Sequence, residues 1–116
     1  EWEKALDLLE EMQAHGLTPD VISFSSAISV CQKAGRWEEA LRLLSDMRVQ
    51  GVEPNVLSYS SAISACEKGL QWEKALELLV EMREQGVAPN VFSYSAAISA
   101  CEKGLQWEKA LELLDE

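Results

Sequence analysis

The chain has 116 residues, enough for one modest domain, and its hydrophobic content of 47% lets it bury a core, which excludes a disordered tail. It carries 20 acidic and 10 basic residues, and the formal net charge of −10 works against any function that needs a strongly basic surface. We interpret the excess acids as a solvated outer face. Because no apolar run approaches the roughly 18 residues of a membrane span, we expect no membrane partner.

One stretch recurs at a fixed interval and organises the whole chain. Residues 62–79, AISACEKGLQWEKALELL, return unchanged as residues 97–114, and residues 27–44 are a looser copy. Cys31, Cys66 and Cys101 lie 35 positions apart. Fixed self-similarity of this length is typical of stacked repeat proteins. Because both ends of the chain fall inside a repeat, we expect a segment of a longer array, with any targeting signal out of view.

The opening residues, 1–14, predict a helix because their apolar positions follow one helical stripe. That stripe is formed by Trp2, Ala5, Leu6, Leu9 and Met12. Gly16 permits a left-handed helix ending, and Pro19 prevents the helix from continuing. We assign residues 1–20 to a partial repeat.

The first complete repeat, residues 21–55, predicts two helices over about 22–33 and 37–49. The first helix has a buried stripe of Phe24, Ala27, Ile28 and Cys31, and its many serines make it depend on tertiary packing. Residues 56–90 repeat this pattern, and residues 91–116 form a truncated repeat. We therefore expect an all-α fold, a right-handed α-solenoid of stacked helix-turn-helix units.

The cysteines and tryptophans each keep one repeat position. Packed helices lie roughly 9–10 Å apart, which exceeds the reach of about 7 Å that a disulfide allows between Cα atoms. We therefore interpret the cysteines as buried, free thiols in a reducing compartment rather than as redox or metal-binding groups. The tryptophans are interpreted as packing between helices rather than as ligand-stacking groups; they are Trp2, Trp37, Trp72 and Trp107.

The recurring motifs resemble the pentatricopeptide repeat (PPR) family, in its P-type form with 35-residue repeats. A tetratricopeptide repeat would have a period of about 34 residues and a different first helix. The resemblance covers the whole chain. It is carried by the openings at 21–25, 56–60 and 91–95, by Cys-x-Lys beside a glycine, by Glu-Ala-Leu or Lys-Ala-Leu, and by Gly-Val-x-Pro-Asn at 51–55 and 86–90.

The resemblance implies sequence-specific binding of single-stranded RNA, with one base per repeat. In that family two residues of each repeat choose the base. The residues after the aromatic are Ser25, Ser60 and Ser95, and the residues that close a repeat are Asn55, Asn90 and Asp20. A small hydroxyl with Asn reads adenine in the family's pairing rule, so two adjacent adenine readers are implied. A role in RNA processing, stability or translation, in a mitochondrion or chloroplast, is implied by the resemblance alone.

Two further sets of residues match positions that contact RNA in the family. Ile22, Leu57 and Phe92 correspond to residues that sandwich each base, and they lie one helical turn from the reading serines, so both sets can share an exposed face. Packing against the neighbouring repeat is the alternative. Lys33, Lys68 and Lys103 resemble phosphate contacts. Alternatively, they complement the dipole at the carboxyl end of each first helix.

Neither a catalytic constellation nor a cofactor or metal motif is evident in the sequence, so we expect no enzyme here. Most acidic residues fall on the predicted second helices, whereas the first helices carry almost no charge. The acidic second-helix face leaves a competing hypothesis open. The chain would then be a scaffold of the helical-repeat type that binds other proteins through basic peptides.

Overall fold

The computed structural model describes residues 1–104 and 107–114. Within these residues seven helices follow one another. They are α1 (Trp2–Ala14), α2 (Val21–Lys33), α3 (Trp37–Val49), α4 (Val56–Lys68), α5 (Trp72–Glu84), α6 (Val91–Lys103) and α7 (Trp107–Leu114). The predicted helices over about 22–33 and 37–49 are confirmed to within a residue. None of the described helices is long and apolar enough to cross a membrane.

The helices form stacked pairs, as the sequence predicts. Each of the first helices α2, α4 and α6 packs against its own second helix. In addition, α2 packs against α4, and α4 packs against α6. The second helices α3 and α5 each bridge two consecutive first helices. The result is an all-α stack, 48 × 28 × 19 Å, in which the first helices form a continuous row.

Small side chains allow the first helices to pack closely. Ala62, Ala65 and Cys66 are fully buried, and in α4 every residue from 58 to 66 is buried. This explains how a serine-rich helix of modest propensity is stable, because α4 has packed neighbours on both sides. All three cysteines are buried, as predicted.

Burial raises the pKa of the Cys66 thiol to about 12, and burial likewise raises that of Cys31. Both groups therefore stay protonated near neutral pH and are poor nucleophiles. We expect negligible labelling of these cysteines by a thiol reagent at about pH 8 in native protein, and complete labelling in denaturant. Native-state labelling at the rate of a free thiol would show that the first-helix row opens readily.

The turns between paired helices share one backbone geometry. The N–H of Arg36 donates to the carbonyl of Cys31 at 2.9 Å, and the N–H of Gln71 donates to the carbonyl of Cys66 at 2.8 Å. This helix ending needs a left-handed residue, which is Gly35 in the first turn at φ 72° but Leu70 in the second at φ 61°. A leucine in this conformation is strained.

Replacement of Leu70 by glycine should therefore stabilise the protein. The side chain is largely exposed, so little burial is lost. We expect a gain of about 0.5–1 kcal/mol in the free energy of unfolding, since the relieved strain exceeds the entropy that glycine adds to the unfolded chain. Urea unfolding measures it, with Gly35→Leu as the reverse change, and a loss of stability in Leu70→Gly would contradict the assignment of strain.

The tryptophans set the spacing between pairs. Trp37 packs so closely on Gly69 that a Cβ at this glycine would overlap the indole ring, and Trp72 contacts Gly104 in the same way. Trp2 instead packs under the guanidinium of Arg36, with 4.3 Å between Cζ and the ring centroid. The predicted packing role is confirmed for these three tryptophans, while the side chain of Trp107 lies outside the described residues.

A methyl group at Gly69 should disturb this contact. The backbone of Gly69, at φ −86°, is ordinary for any residue, so the cost of Gly69→Ala is steric. We expect a loss of about 1–3 kcal/mol in the free energy of unfolding. The cost should shrink in a Trp37→Leu background, and an equal cost there would show that the indole is not the obstacle.

Candidate nucleic-acid interface

The last residue of each repeat caps the first helix of the next. Asn55 Oδ1 accepts hydrogen bonds from the Ser58 backbone N–H at 2.9 Å and from the Ser58 hydroxyl at 2.7 Å. The backbone N–H of Asn55 donates to Ser58 Oγ at 2.9 Å, which completes a reciprocal cap of α4. Asn90 and Ser93 make the same arrangement at the start of α6. The side chain of each asparagine is therefore fixed by a serine three residues further on.

Asp20 caps α2 through its side-chain oxygen. Its Oδ1 accepts from the Ser23 backbone N–H and hydroxyl, both at 2.9 Å. The backbone hydrogen bond and then the hydroxyl of Ser23 lower the pKa of the Asp20 carboxyl. It is therefore an ionised acceptor at neutral pH. Sequence reasoning overlooked the three capping serines Ser23, Ser58 and Ser93, although the spacing of Asp or Asn three residues before Ser was visible.

Each predicted pair of reading residues is joined across the boundary between helix pairs. Ser25 Oγ lies 3.2 Å from Asn55 Oδ1 and 2.8 Å from Ser58 Oγ. Ser60 Oγ donates to Asn90 Oδ1 at 3.4 Å. Residues 30 positions apart in sequence thus meet at one point on each step of the stack.

The expectation that the three serines lie on an exposed face is wrong for two of them. Ser25 is 1% exposed and Ser60 is fully buried, whereas Ser95 is exposed. The amino end of the following first helix covers each buried serine, and within the described residues no first helix follows α6. The exposed polar group of each pair is therefore the asparagine.

Protein donors hold the oxygen of each asparagine amide, and both asparagines are exposed residues. Because Oδ1 of Asn55 is occupied by three hydroxyl and amide donors, its Nδ2 is the side-chain group left to interact with a ligand. Nδ2 carries two N–H donors. Asn90 has the same environment, with Ser60 and Ser93 around its oxygen.

The three apolar residues at the second repeat position lie in the first turn of each first helix, two residues after the caps Asp20, Asn55 and Asn90. Ile22 is 69% exposed, Leu57 44% and Phe92 40%. They are thus partly covered, yet each leaves a substantial apolar surface in solvent next to a hydrogen-bonding group. A flat, aromatic ligand with polar edges matches this alternation of apolar and donor groups.

The three lysines lie at the opposite end of the first helices and differ in their contacts. Lys68 Nζ donates to the carbonyl of Gln32 at 3.3 Å, at the carboxyl end of α2. Lys103 makes an ion pair with Glu67 of α4. Lys33 has neither contact within the described part of the chain. All three are exposed.

The remaining charges lie mainly on the second helices. The exposed acids of α5 are Glu73, Glu77 and Glu84, whereas α4 carries only the adjacent Glu67 and Lys68. The asparagine caps therefore lie at the amino ends of first helices that carry almost no charge. Groups of three or more potential metal ligands are absent from the described residues.

Stacked helix pairs, with an Asp or Asn cap at the start of each first helix, define the chain as a helical-repeat protein. The model of the PPR repeat family matches residues 19–68 and 63–103, and a second PPR repeat model matches residues 1–17 and 92–116. The chain therefore belongs to the pentatricopeptide repeat family, an RNA-binding family, and the resemblance read from the sequence is confirmed. PPR proteins are commonly organellar, and their repeat regions are typically non-catalytic.

Solved structures show the same architecture. The maize protein PPR10 is 30% identical, with a TM-score of 0.85 over 98% of this chain and 16% of its own length. PPR10 in complex with an 18-nt psaJ RNA element is 30% identical, with a TM-score of 0.83 over 97% of this chain and 17% of its own. The chain thus spans only a small part of PPR10.

A third structure supports the fold alone. The PPR domain of Arabidopsis thaliana protein-only RNase P 1, in complex with tRNA, is 19% identical. Its TM-score is 0.83 over 98% of this chain and 59% of its own length. No curated protein sequence matches the chain.

Proposed function

We propose that this chain binds single-stranded RNA in a sequence-specific manner, with one base per repeat. Ser25 with Asn55 and Ser60 with Asn90 read two adjacent adenines. The observation that carries the proposal is that both pairs, chosen from sequence alone, meet in hydrogen bonds at equivalent points of the stack. Residues 21–55 and 56–90 are the two complete reading units, flanked by the partial repeats 1–20 and 91–116.

The chemistry follows from the orientation of the amide. Nδ2 of each asparagine donates to a ring nitrogen of adenine, while Oδ1 is held by serine hydroxyls and a backbone N–H. The buried serine contributes by fixing the asparagine and by leaving room for a purine. Ser95 and Asp20 occupy reading positions without a matching partner in this sequence, so no base is assigned to them.

The flanking residues complete the binding surface. Each base is held between the apolar side chains of successive repeats, Ile22 with Leu57 and Leu57 with Phe92. Phe92 provides the strongest stacking surface because it is aromatic. Lys33, Lys68 and Lys103 contact phosphates. We place the protein in a mitochondrion or chloroplast, in RNA processing, stability or translation, with no catalytic role for this stretch.

The proposal predicts a preference for adenine at two neighbouring positions. A short RNA with A-A at these positions should bind at least about tenfold more tightly than one with U-U, at equal and stated salt. Fluorescence anisotropy measures both affinities. Equal affinity for the two RNAs would overturn the assignment of Asn55 and Asn90 as readers.

The double change Asn55→Asp and Asn90→Asp should move the preference from adenine toward guanine. A carboxylate fixed in the same orientation presents an acceptor instead of a donor, and guanine offers N–H groups on that edge. Gln50→Glu with Gln85→Glu is the matched control, because it adds the same charge at exposed positions that end the second helices α3 and α5 and do not begin a first helix. The control should weaken binding to all RNAs equally, so only the ratio of A-A to G-G affinity tests the proposal.

A second candidate function rests on the acidic second-helix face. Its exposed carboxylates, such as Glu73, Glu77 and Glu84 of α5, suit a partner with basic peptides. If a Lys- and Arg-rich peptide binds and the single-stranded RNA does not, the scaffold function replaces the RNA-binding one.

A further inference from the structure

Consecutive first helices also contact each other at their carboxyl ends. These contacts differ between the α2–α4 interface and the α4–α6 interface. Between α2 and α4, Gln32 Nε2 donates to Ser64 Oγ at 3.0 Å, and Lys68 Nζ donates to the Gln32 carbonyl. Between α4 and α6, Ser99 Oγ donates to Glu67 Oε2 at 3.3 Å, and Lys103 pairs with that same oxygen.

Gln32 and Glu67 occupy the same repeat position, 35 residues apart. The side chain of Glu67 is 12% exposed and is held between Ser99 and Lys103, whereas the side chain of Lys103 is 41% exposed. The lysine thus sits at the edge of the row, where a ligand can reach it, with its charge balanced by a carboxylate of the protein. Lys68, at the boundary between α2 and α4, instead donates to the uncharged carbonyl group of Gln32.

We propose that the carboxylate of Glu67 takes the place of an RNA phosphate on Lys103, so that RNA must displace it. The proposal rests on the RNA-binding function above. Lys68, beside the neutral Gln32, is ready to bind a phosphate, whereas Lys103 is occupied by an internal competitor. The residue at the position of Gln32 and Glu67 therefore sets how much the lysine of the following first helix contributes to the affinity for RNA, although it contacts no base.

The physical basis is the repulsion between two anions that share one cation. A phosphate that approaches Lys103 also approaches Glu67, and the lysine must give up its carboxylate partner. Glutamine in place of Glu67 removes this repulsion and can still bond to Ser99, as Gln32 does to Ser64. We expect Glu67→Gln to tighten RNA binding about three- to tenfold at low salt, with a steeper salt dependence.

The decisive comparison is between Glu67→Gln and Glu10→Gln, which each remove one negative charge. Glu10→Gln changes an exposed residue of α1, which packs on α2 at the far end of the stack from α6. It should alter affinity less than twofold, because that distance allows salt to screen the charge. The converse variant, Gln32→Glu, should weaken binding by a factor similar to the gain in Glu67→Gln. Circular dichroism confirms that each variant is folded at the temperature used.

A double-variant cycle identifies the lysine involved. In a Lys103→Ala background the gain from Glu67→Gln should disappear, because no cation remains to be released. A gain that persists there would overturn the inference, and so would equal effects of Glu67→Gln and Glu10→Gln. If wild-type protein binds no single-stranded RNA, the proposed function itself fails. If it binds RNA with an adenine preference but Glu67→Gln has no effect, only this inference fails.

Discussion

The close contact between consecutive first helices is the constraint on which the rest of the structure depends. Alanine, serine and cysteine side chains on α2, α4 and α6 are small enough to let the helices pack directly, and α4 is consequently buried along most of its length. Tryptophans on the second helices hold the neighbouring pair at a fixed spacing, with a glycine at the point of closest approach. This packing fixes how consecutive repeats are aligned. The contacts of Ser25 with Asn55, of Ser60 with Asn90 and of Glu67 with Lys103 all depend on that alignment.

Consecutive first helices contact each other at both ends. The contacts at the amino ends orient asparagine amides, and those at the carboxyl ends involve lysines. At the amino end, Ser25 and Ser58 hold the oxygen of Asn55, which leaves the amide nitrogen for the proposed contact with a base. At the carboxyl end, Gln32 contacts a serine and a lysine of α4, and Glu67 contacts a serine and a lysine of α6. The interface is therefore a product of the stack rather than of any single helical hairpin, because each group is oriented by residues of two consecutive pairs.

Small differences between near-identical repeats carry much of the functional information. A strained leucine replaces glycine in the second turn, and a glutamate replaces glutamine beside the lysines. The first difference affects stability alone, since the side chain of Leu70 points into solvent. The second changes the charge at a surface where phosphates are proposed to bind, so it affects affinity without altering the hydrogen-bonding pattern of the stack.

The helices, their pairing and the family could be predicted from the amino-acid sequence, because they depend on local periodicity and on a motif repeated every 35 residues. The sequence also identified Ser25 with Asn55 and Ser60 with Asn90 as partners. Three properties could be seen only in the folded chain: Ser25 and Ser60 are buried, serines of two helix pairs hold the oxygen of Asn55, and Lys103 is paired with Glu67. These properties arise from contacts between residues roughly 30 to 36 positions apart in the sequence. Their burial and hydrogen bonding depend on how the helices pack, which a local sequence pattern does not specify.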